Sequence, residues 1–175
     1  LAGSQVHVGA AIAFPLGQTT LEDKLSETRN AIKNGADEID YVVNLTKLKA
    51  GDTAYIESEM ARITDICREF SVVSKVIFEN CYLTEDEKKT LCHIATKVKP
   101  DFIKTSTGFG TGGATFEDVA LMKRETEGSG VKIKAAGGIR TLKTALEMIN
   151  LGVSRIGSTS SVAIMEEYMA NSPLL

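Results

Sequence analysis

Threonines that can begin a helix recur along the chain at intervals of about 30 residues, the length of one strand–helix unit. They are Thr20, Thr53, Thr84, Thr115 and Thr141. Each follows a short, largely apolar run, such as Val6–Phe14 or Val72–Glu79, and no sequence repeats from unit to unit. The alternation predicts an α/β fold with helices packed outside a parallel sheet. We expect six strand–helix units in a single domain spanning residues 1–175.

A doubly wound sheet and a β/α barrel both fit this alternation, and polar residues within one strand favour the barrel. Asp40, Val42 and Asn44 share one face of the predicted strand Glu38–Asn44. A strand covered by helices on both faces should not carry Asp and Asn at mid-strand, whereas the inner face of a barrel strand leads to a polar mouth. We therefore predict a TIM-type (β/α) barrel, with six of the usual eight units in this chain.

Lys104 and Lys134 each end an apolar strand and are followed by small, flexible residues. The first precedes Thr105–Gly113, and the second precedes Gly137 and Gly138. An unpaired buried ammonium group is costly. A lysine that snorkels to solvent at a strand end is the simpler interpretation of either residue alone. Two such lysines in one chain favour chemistry that uses an amine.

In the barrel, Lys104 and Lys134 would lie on neighbouring strands about 4.8 Å apart. Repulsion between their ammonium groups is expected to lower the pKa of one by about two to three units, which leaves a partly neutral, nucleophilic amine. Asp40 would hold both by charge and relay protons through a water molecule. This set predicts Schiff-base chemistry, and a structural Lys–Asp–Lys ion-pair network is the alternative. Lys132 lies lower on the strand of Lys134, and we assign it to packing or to the opposite mouth.

Glycine-rich segments after the last two predicted strands indicate a phosphate site. Gly137 and Gly138 follow one strand, and Gly157–Ser160 follows the other. Barrels commonly bind phosphate in these two loops, where backbone N–H groups, a helix N-terminus and hydroxyls all donate. Arg140 can add positive charge.

Composition excludes several classes of partner. A formal net charge of −3 predicts no attraction to nucleic acid or to anionic membranes. Three cysteines without metal-ligand spacing predict reduced thiols and no metal site. No apolar run approaches the roughly 18 residues of a membrane span, and no signal peptide is visible. We therefore expect a cytoplasmic protein.

These features together resemble the class I deoxyribose-phosphate aldolases. The similarity is carried by Lys104–Thr115, Lys134–Thr141 and Gly35–Asp40, with support from Phe14–Gly17 and Arg155–Gly157. It therefore runs along nearly the whole chain.

The resemblance implies a reaction and a role for each site residue. The reaction is reversible cleavage of 2-deoxy-D-ribose 5-phosphate to D-glyceraldehyde 3-phosphate and acetaldehyde, in deoxyribonucleotide catabolism, with no metal and no cofactor. Lys104 would form the Schiff base, Lys134 would lower its pKa, and Asp40 would serve in the proton relay. The substrate phosphate would be held by Gly137, Gly138, Thr159 and Ser160.

The chain departs from the family in two respects. Some members carry a lysine where this chain has Phe109, so less positive charge faces the phosphate. Members also begin with two further strand–helix units, so we expect this domain to be N-terminally incomplete and to self-associate, as a homodimer, through its open seam. A non-catalytic sugar-phosphate-binding module and an inactive aldolase fragment are the alternatives to an active enzyme.

Overall fold

The computed structural model describes residues 3–171, in which six parallel strands alternate with helices. The strands are β1 (Gly9–Ile12), β2 (Glu38–Val42), β3 (Val73–Ile77), β4 (Phe102–Lys104), β5 (Lys132–Ala136) and β6 (Arg155–Gly157). The helices are α1 (Leu21–Lys33), α2 (Leu45–Lys49), α3 (Thr53–Glu69), α4 (Glu85–Val98), α5 (Phe116–Glu125), α6 (Leu142–Asn150) and α7 (Ser161–Asn171), with a 3-10 turn at Asn80–Tyr82. No helix in this part of the chain is long and apolar enough to cross a membrane.

The sheet curls into an open part of a barrel. Each strand pairs in parallel with the next along the chain, so the order is β1-β2-β3-β4-β5-β6. Arg155 on β6 donates a hydrogen bond to Glu38 on β2, and Lys134 on β5 donates one to Asp40 on β2. Such contacts between distant strands require a strongly concave sheet. Among residues 3–171, β1 and β6 each have one strand neighbour, so the prediction of six barrel units with an open seam is confirmed.

The apolar core lies between the outer face of the sheet and the helices. Ile39 and Tyr41 of β2, Ile103 of β4 and Ile133 of β5 are buried there, together with Met60 of α3. Each large apolar side chain that is fully buried contributes about 1.5–3 kcal/mol relative to an exposed one. The concave face carries the charged residues of the strands, together with Val42 and Ile77, which are in register with Lys104.

Most helices begin where the sequence predicts. Four of the five predicted threonines cap a helix: Thr20, Thr84, Thr115 and Thr141. Thr84 also forms a capping box with Glu87. Thr53 is instead the first residue of α3, and the preceding Asp52 caps that helix, since its carboxylate accepts the hydrogen bond from the Tyr55 N–H at 3.1 Å.

Three predicted strands are too long. β1 ends at Ile12, because Ala13 has a φ of +50° and leaves the sheet. Asn44, predicted on the inner face of β2, instead caps α2, a helix that the sequence analysis missed; its side-chain oxygen accepts from the Lys47 N–H at 3.1 Å. β3 ends at Ile77, and Glu79 has a φ of +56°.

A buried ion pair joins α1 to α3 beneath the sheet. Lys24 Nζ lies 2.7 Å from a Glu59 carboxylate oxygen, and both side chains are fully buried. Lys24 also donates to the Val42 carbonyl at 2.8 Å, and Glu59 accepts from the Asn44 N–H at 3.0 Å. Burial lowers the pKa of Lys24 and raises that of Glu59, so loss of water outweighs their attraction.

Candidate active site

Two lysines lie side by side at the carboxyl ends of β4 and β5. Lys104 is the last residue of β4 and is in register with Lys134 of β5. Only 9% and 16% of their side-chain surfaces are exposed, respectively. Register places both on the concave face, because side chains that are paired across parallel strands point to the same side.

Asp40 connects the two lysines. Its Oδ2 atom accepts hydrogen bonds from Lys104 Nζ at 2.9 Å and from Lys134 Nζ at 2.7 Å. Asp40 reaches them from β2, two strands from β4, as the curl of the sheet allows. The structure thus brings together the three residues that the sequence analysis selected for chemistry.

A third lysine, Lys75 of β3, binds the second oxygen of the Asp40 carboxylate. The sequence analysis missed this residue. Its Nζ atom lies 2.6 Å from Asp40 Oδ1 and 2.8 Å from Glu38 Oε2, and Glu38 also pairs with Arg155. The network contains four cationic side chains and two carboxylates, so its net charge is positive when all are ionised. That charge favours an anionic ligand at this end of the sheet.

A sequence signal for Lys75 and Glu38 does exist. Glu38 precedes Asp40 by two residues, and Lys75 stands between Val73 and Ile77 in an otherwise buried strand. A charged residue at every second position of a buried strand marks one polar face. Applied to every strand, that test would have identified both residues.

The network perturbs the pKa values of its members in opposite senses. Burial by itself would raise the pKa of Asp40, but the charges of Lys104, Lys134 and Lys75 outweigh it and hold that pKa well below its usual range. For Lys134, burial is the largest cause and lowers the pKa; the Lys104 charge adds to this, and Asp40 opposes it. Asp40 is therefore ionised at neutral pH, while Lys134 gives up its proton more readily than a free lysine.

The lysine pair opens into a cavity of about 380 Å³ formed by the ends of β4, β5 and β6. Gly137, Gly138 and Thr159 line it, and Arg140 adds a guanidinium group. Ser160, the remaining residue predicted to hold phosphate, does not line the cavity, and its N–H donates to Ser158 Oγ at 2.9 Å.

The loop after Lys104 is tied closely to β5. Thr105 Oγ1 donates to the Ala136 carbonyl at 3.2 Å, and the Ala114 N–H donates to the same carbonyl at 3.0 Å. A Cβ atom on Gly113 would lie only 2.3 Å from the Gly137 carbonyl oxygen, so only glycine fits this approach. The walls of the cavity are thereby held against each other.

A larger cavity, of about 490 Å³, lies between α6 and α7. Its lining is mostly apolar, with hydroxyls from Ser158, Ser161 and Tyr168 and no charged group. It lacks a nucleophilic amine or an acid–base pair, so we assign the candidate active site to the smaller cavity. Lys132, at the other end of β5, is exposed, with its Nζ atom 5.7 Å from the ring centre of Phe102.

Comparison with known proteins gives one consistent result. A family profile described as "DeoC/LacD family aldolase" matches residues 3–159. A deoxyribose-phosphate aldolase of Lactobacillus acidophilus is 58% identical over 166 residues, which cover 95% of this chain and 70% of that protein. The solved structure of an aldolase designated QR15 superposes with a TM-score of 0.90 at 40% identity, covering 97% of this chain and 75% of that one. A deoxyribose phosphate aldolase from Aeropyrum pernix, described as tetrameric, superposes with a TM-score of 0.86 at 29% identity, covering 95% and 70%.

Proposed function

Since the chain belongs to the DeoC/LacD family of aldolases, we propose that it is a Schiff-base lyase that reversibly cleaves 2-deoxy-D-ribose 5-phosphate to D-glyceraldehyde 3-phosphate and acetaldehyde. One observation carries the mechanism: the amines of Lys104 and Lys134 share a single oxygen of Asp40 beside a cavity. The alternative, a purely structural Lys–Asp–Lys network, would not need to open onto a cavity. Here three lysines surround Asp40, and two of them line the cavity.

In this proposal Lys104 is the nucleophile, an assignment supported by the similarity of Lys104–Thr115 to the family. Its neutral amine adds to the C1 carbonyl of the open-chain sugar, and loss of water from the carbinolamine gives an iminium ion. Removal of the C3 hydroxyl proton then breaks the C2–C3 bond, and the electron pair moves to the iminium nitrogen as an enamine. Glyceraldehyde 3-phosphate leaves. Protonation of the enamine at C2 and hydrolysis by water release acetaldehyde and restore the amine.

Lys134 and Asp40 would serve the proton transfers. The pKa of Lys134 is lowered by burial and by the Lys104 charge, so this amine gives up a proton more readily than a free lysine does, as a proton-transfer group requires. Both Asp40 oxygens already accept hydrogen bonds from lysines. Asp40 would therefore stabilise the ammonium form of Lys134 and orient it, while the moving proton travels through Lys134 or a water molecule.

The far end of the cavity suits the phosphate of the substrate. Gly137 and Gly138 have φ values of +85° and +79°, and this conformation turns the backbone after β5 into the cavity. Arg140 and the Thr159 hydroxyl are the side-chain donors we assign to the phosphate, with Ser160 able to take part only if its loop rearranges. We also propose a single domain, a cytoplasmic setting supported by three free thiols, and a role in deoxyribonucleotide catabolism.

The test is release of acetaldehyde from 2-deoxyribose 5-phosphate, followed through an NADH-dependent alcohol dehydrogenase. Lys104→Met should abolish release, and 2-deoxyribose without its phosphate should show a raised KM. The matched control is Lys132→Met, which removes an exposed lysine at the other end of β5. Saturable binding of the sugar phosphate by the folded parent chain without turnover would favour a sugar-phosphate-binding module instead.

A further inference from the structure

Glu79 is an unusual residue just beyond the end of β3. Only 2% of its surface is exposed, and its φ of +56° lies in the left-handed region, which side chains of this size seldom occupy. Such a conformation costs about 1–3 kcal/mol and persists only where the surrounding contacts enforce it. Contacts of that kind are found at the Glu79 carboxylate.

The carboxylate of Glu79 binds one residue twice. Its Oε1 atom accepts from the Thr107 N–H at 3.1 Å, and its Oε2 atom accepts from the Thr107 hydroxyl. The hydroxyl oxygen of Thr107 in turn accepts from the Phe109 N–H at 3.0 Å. A carboxylate suits two donors on one residue, because both of its oxygens are acceptors, whereas an amide would turn its NH₂ group toward one of them.

The glycine-rich part of the loop after Thr107 packs against the Glu79 side chain and its neighbour Cys81. A Cβ atom on Gly110 would lie 2.7 Å from Cys81 Sγ and 3.2 Å from the Glu79 carboxylate carbon. The ring of Phe109 makes an edge-to-face contact with Phe14, at 5.4 Å between ring centres, beyond the end of β1. A loop with this many glycines is intrinsically mobile. The Glu79 carboxylate fixes its beginning, and the contact with Phe14 fixes its tip.

We propose that Glu79 is a positioning residue for the sugar-phosphate site. Thr107 and Gly108 line the cavity beside Lys104 and Lys134, whereas Glu79 does not line it. Glu79 therefore acts through Thr107, by holding the wall against which the substrate is oriented. The inference rests on the proposed function and concerns its substrate specificity. The position of this wall should affect binding of the large phosphorylated sugar more than reaction with acetaldehyde.

The chain provides a matched control at the opposite end of the same two strands. Asp101, before β4, accepts from the Ser74 N–H at 2.9 Å and from the Ser74 hydroxyl at 2.8 Å. Like Glu79, Asp101 accepts from both the N–H and the hydroxyl of one residue, although here both donors bind the single oxygen Oδ2, and the contact lies far from the cavity. Asp101→Asn should therefore report the structural effect of replacing such a carboxylate by an amide, without an effect on the site.

The experiment compares Glu79→Gln with Asp101→Asn. For each variant, the KM for 2-deoxyribose 5-phosphate is measured beside the rate at which borohydride traps an adduct with acetaldehyde alone. Glu79→Gln should raise KM about tenfold, and should change the trapping rate by a much smaller factor. A tenfold change is the effect expected for the loss of one charge-assisted hydrogen bond. Asp101→Asn should retain the parent KM. A parent-like KM in Glu79→Gln, or an equal loss in both readouts, would overturn the proposal.

Variants at Thr107 keep the proposal testable if Glu79→Gln does not fold. Thr107→Val removes the hydroxyl without touching the strained backbone and should raise KM as Glu79→Gln does, while Thr107→Ser keeps the hydroxyl and should restore it. A Thr107→Val chain with the parent KM would refute the role of Glu79. If the parent chain traps no acetaldehyde, the proposed function fails instead, and the dissociation constant of the sugar phosphate replaces KM in the same comparison.

Discussion

Lys104 and Lys134 donate hydrogen bonds to one and the same oxygen, Oδ2 of Asp40, from adjacent strands in register. Two ammonium groups held this close repel each other, and the shared carboxylate offsets that repulsion. Lys75 holds the other oxygen, so the carboxylate cannot turn away from the pair. The arrangement brings two amines to one cavity, and the negative charge of Asp40 offsets part of their positive charge.

Removing the charge of Lys134 should change the pH dependence of activity. In Lys134→Leu the site loses an amine whose pKa is held below its ordinary value by burial and by the Lys104 charge, and with it the group that we propose moves protons. Activity at pH 7 should fall about a hundredfold, the loss expected when a general acid–base group is removed, and the pH dependence that Lys134 gives to the rate should disappear. Steady-state rates from pH 6 to 10 would show this. Lys132→Leu is the control, and an unchanged rate and profile in Lys134→Leu would show that Lys134 takes no part in the proton transfers.

Asp40 should contribute to stability in a pH-dependent way. Its pKa in the folded state lies below its usual value near 4, so its contribution is complete above about pH 5 and is lost as the pH falls toward the folded-state pKa. Asp40→Asn should cost about 3–5 kcal/mol at pH 7, because Lys104 and Lys134 lose their charged partner and Lys75 keeps only Glu38.

Urea unfolding at pH 7 and at pH 3 measures both effects. The free energy of unfolding of the parent should fall over this range by more than that of Asp40→Asn. Asp65→Asn, at an exposed carboxylate paired with Arg68, should change it by less than about 0.5 kcal/mol. Parallel losses in the parent and in Asp40→Asn would show that Asp40 is not the group that titrates.

For the buried pair of Lys24 and Glu59, replacing one residue should lower the free energy of unfolding by more than replacing both. Either Lys24→Met or Glu59→Leu leaves an uncompensated charge and should cost about 3–5 kcal/mol. The double variant should recover most of that loss, because two apolar side chains avoid the desolvation of both charges. Guanidinium unfolding of all four chains measures the coupling, and strictly additive losses would contradict it.

The open seam should promote self-association of a chain verified by mass as residues 1–175. β1 and β6 present unpaired backbone groups at the two edges of the sheet, and apolar side chains are exposed beside the seam on α6 and α7. We expect sedimentation to show a dimer. Ile149→Glu on α6 should weaken it, whereas Phe70→Glu, at a side chain of similar exposure at the end of α3, should not. A fully active monomer would contradict this account.

The sequence was most informative where charge interrupts an apolar pattern and least informative where contacts are distant in the chain. Lys104, Lys134 and Asp40 stand out because each is a charged residue in a largely buried strand. Register aligns the two lysines with each other, and Asp40, in register with Lys75, reaches them across the curl of the sheet. Lys75 carries the same signal and was overlooked.

Glu79 could not have been found from the sequence alone. Its left-handed backbone and its contact with Thr107, 28 residues away, depend on how the ends of β3 and β4 meet. Asn44 shows a second limit: a buried polar residue at a strand end can cap a helix instead of facing the barrel interior, and only the backbone distinguishes the two.

The most direct test of the central claim is to locate the covalent adduct. The folded chain is incubated with acetaldehyde and borohydride, digested, and mapped by mass spectrometry. We predict a single ethyl group on Lys104, none after Lys104→Met, and unchanged labelling after Lys132→Met. A label on Lys134 alone would reverse the roles of the two lysines, and no label on a folded chain would contradict Schiff-base catalysis by this site.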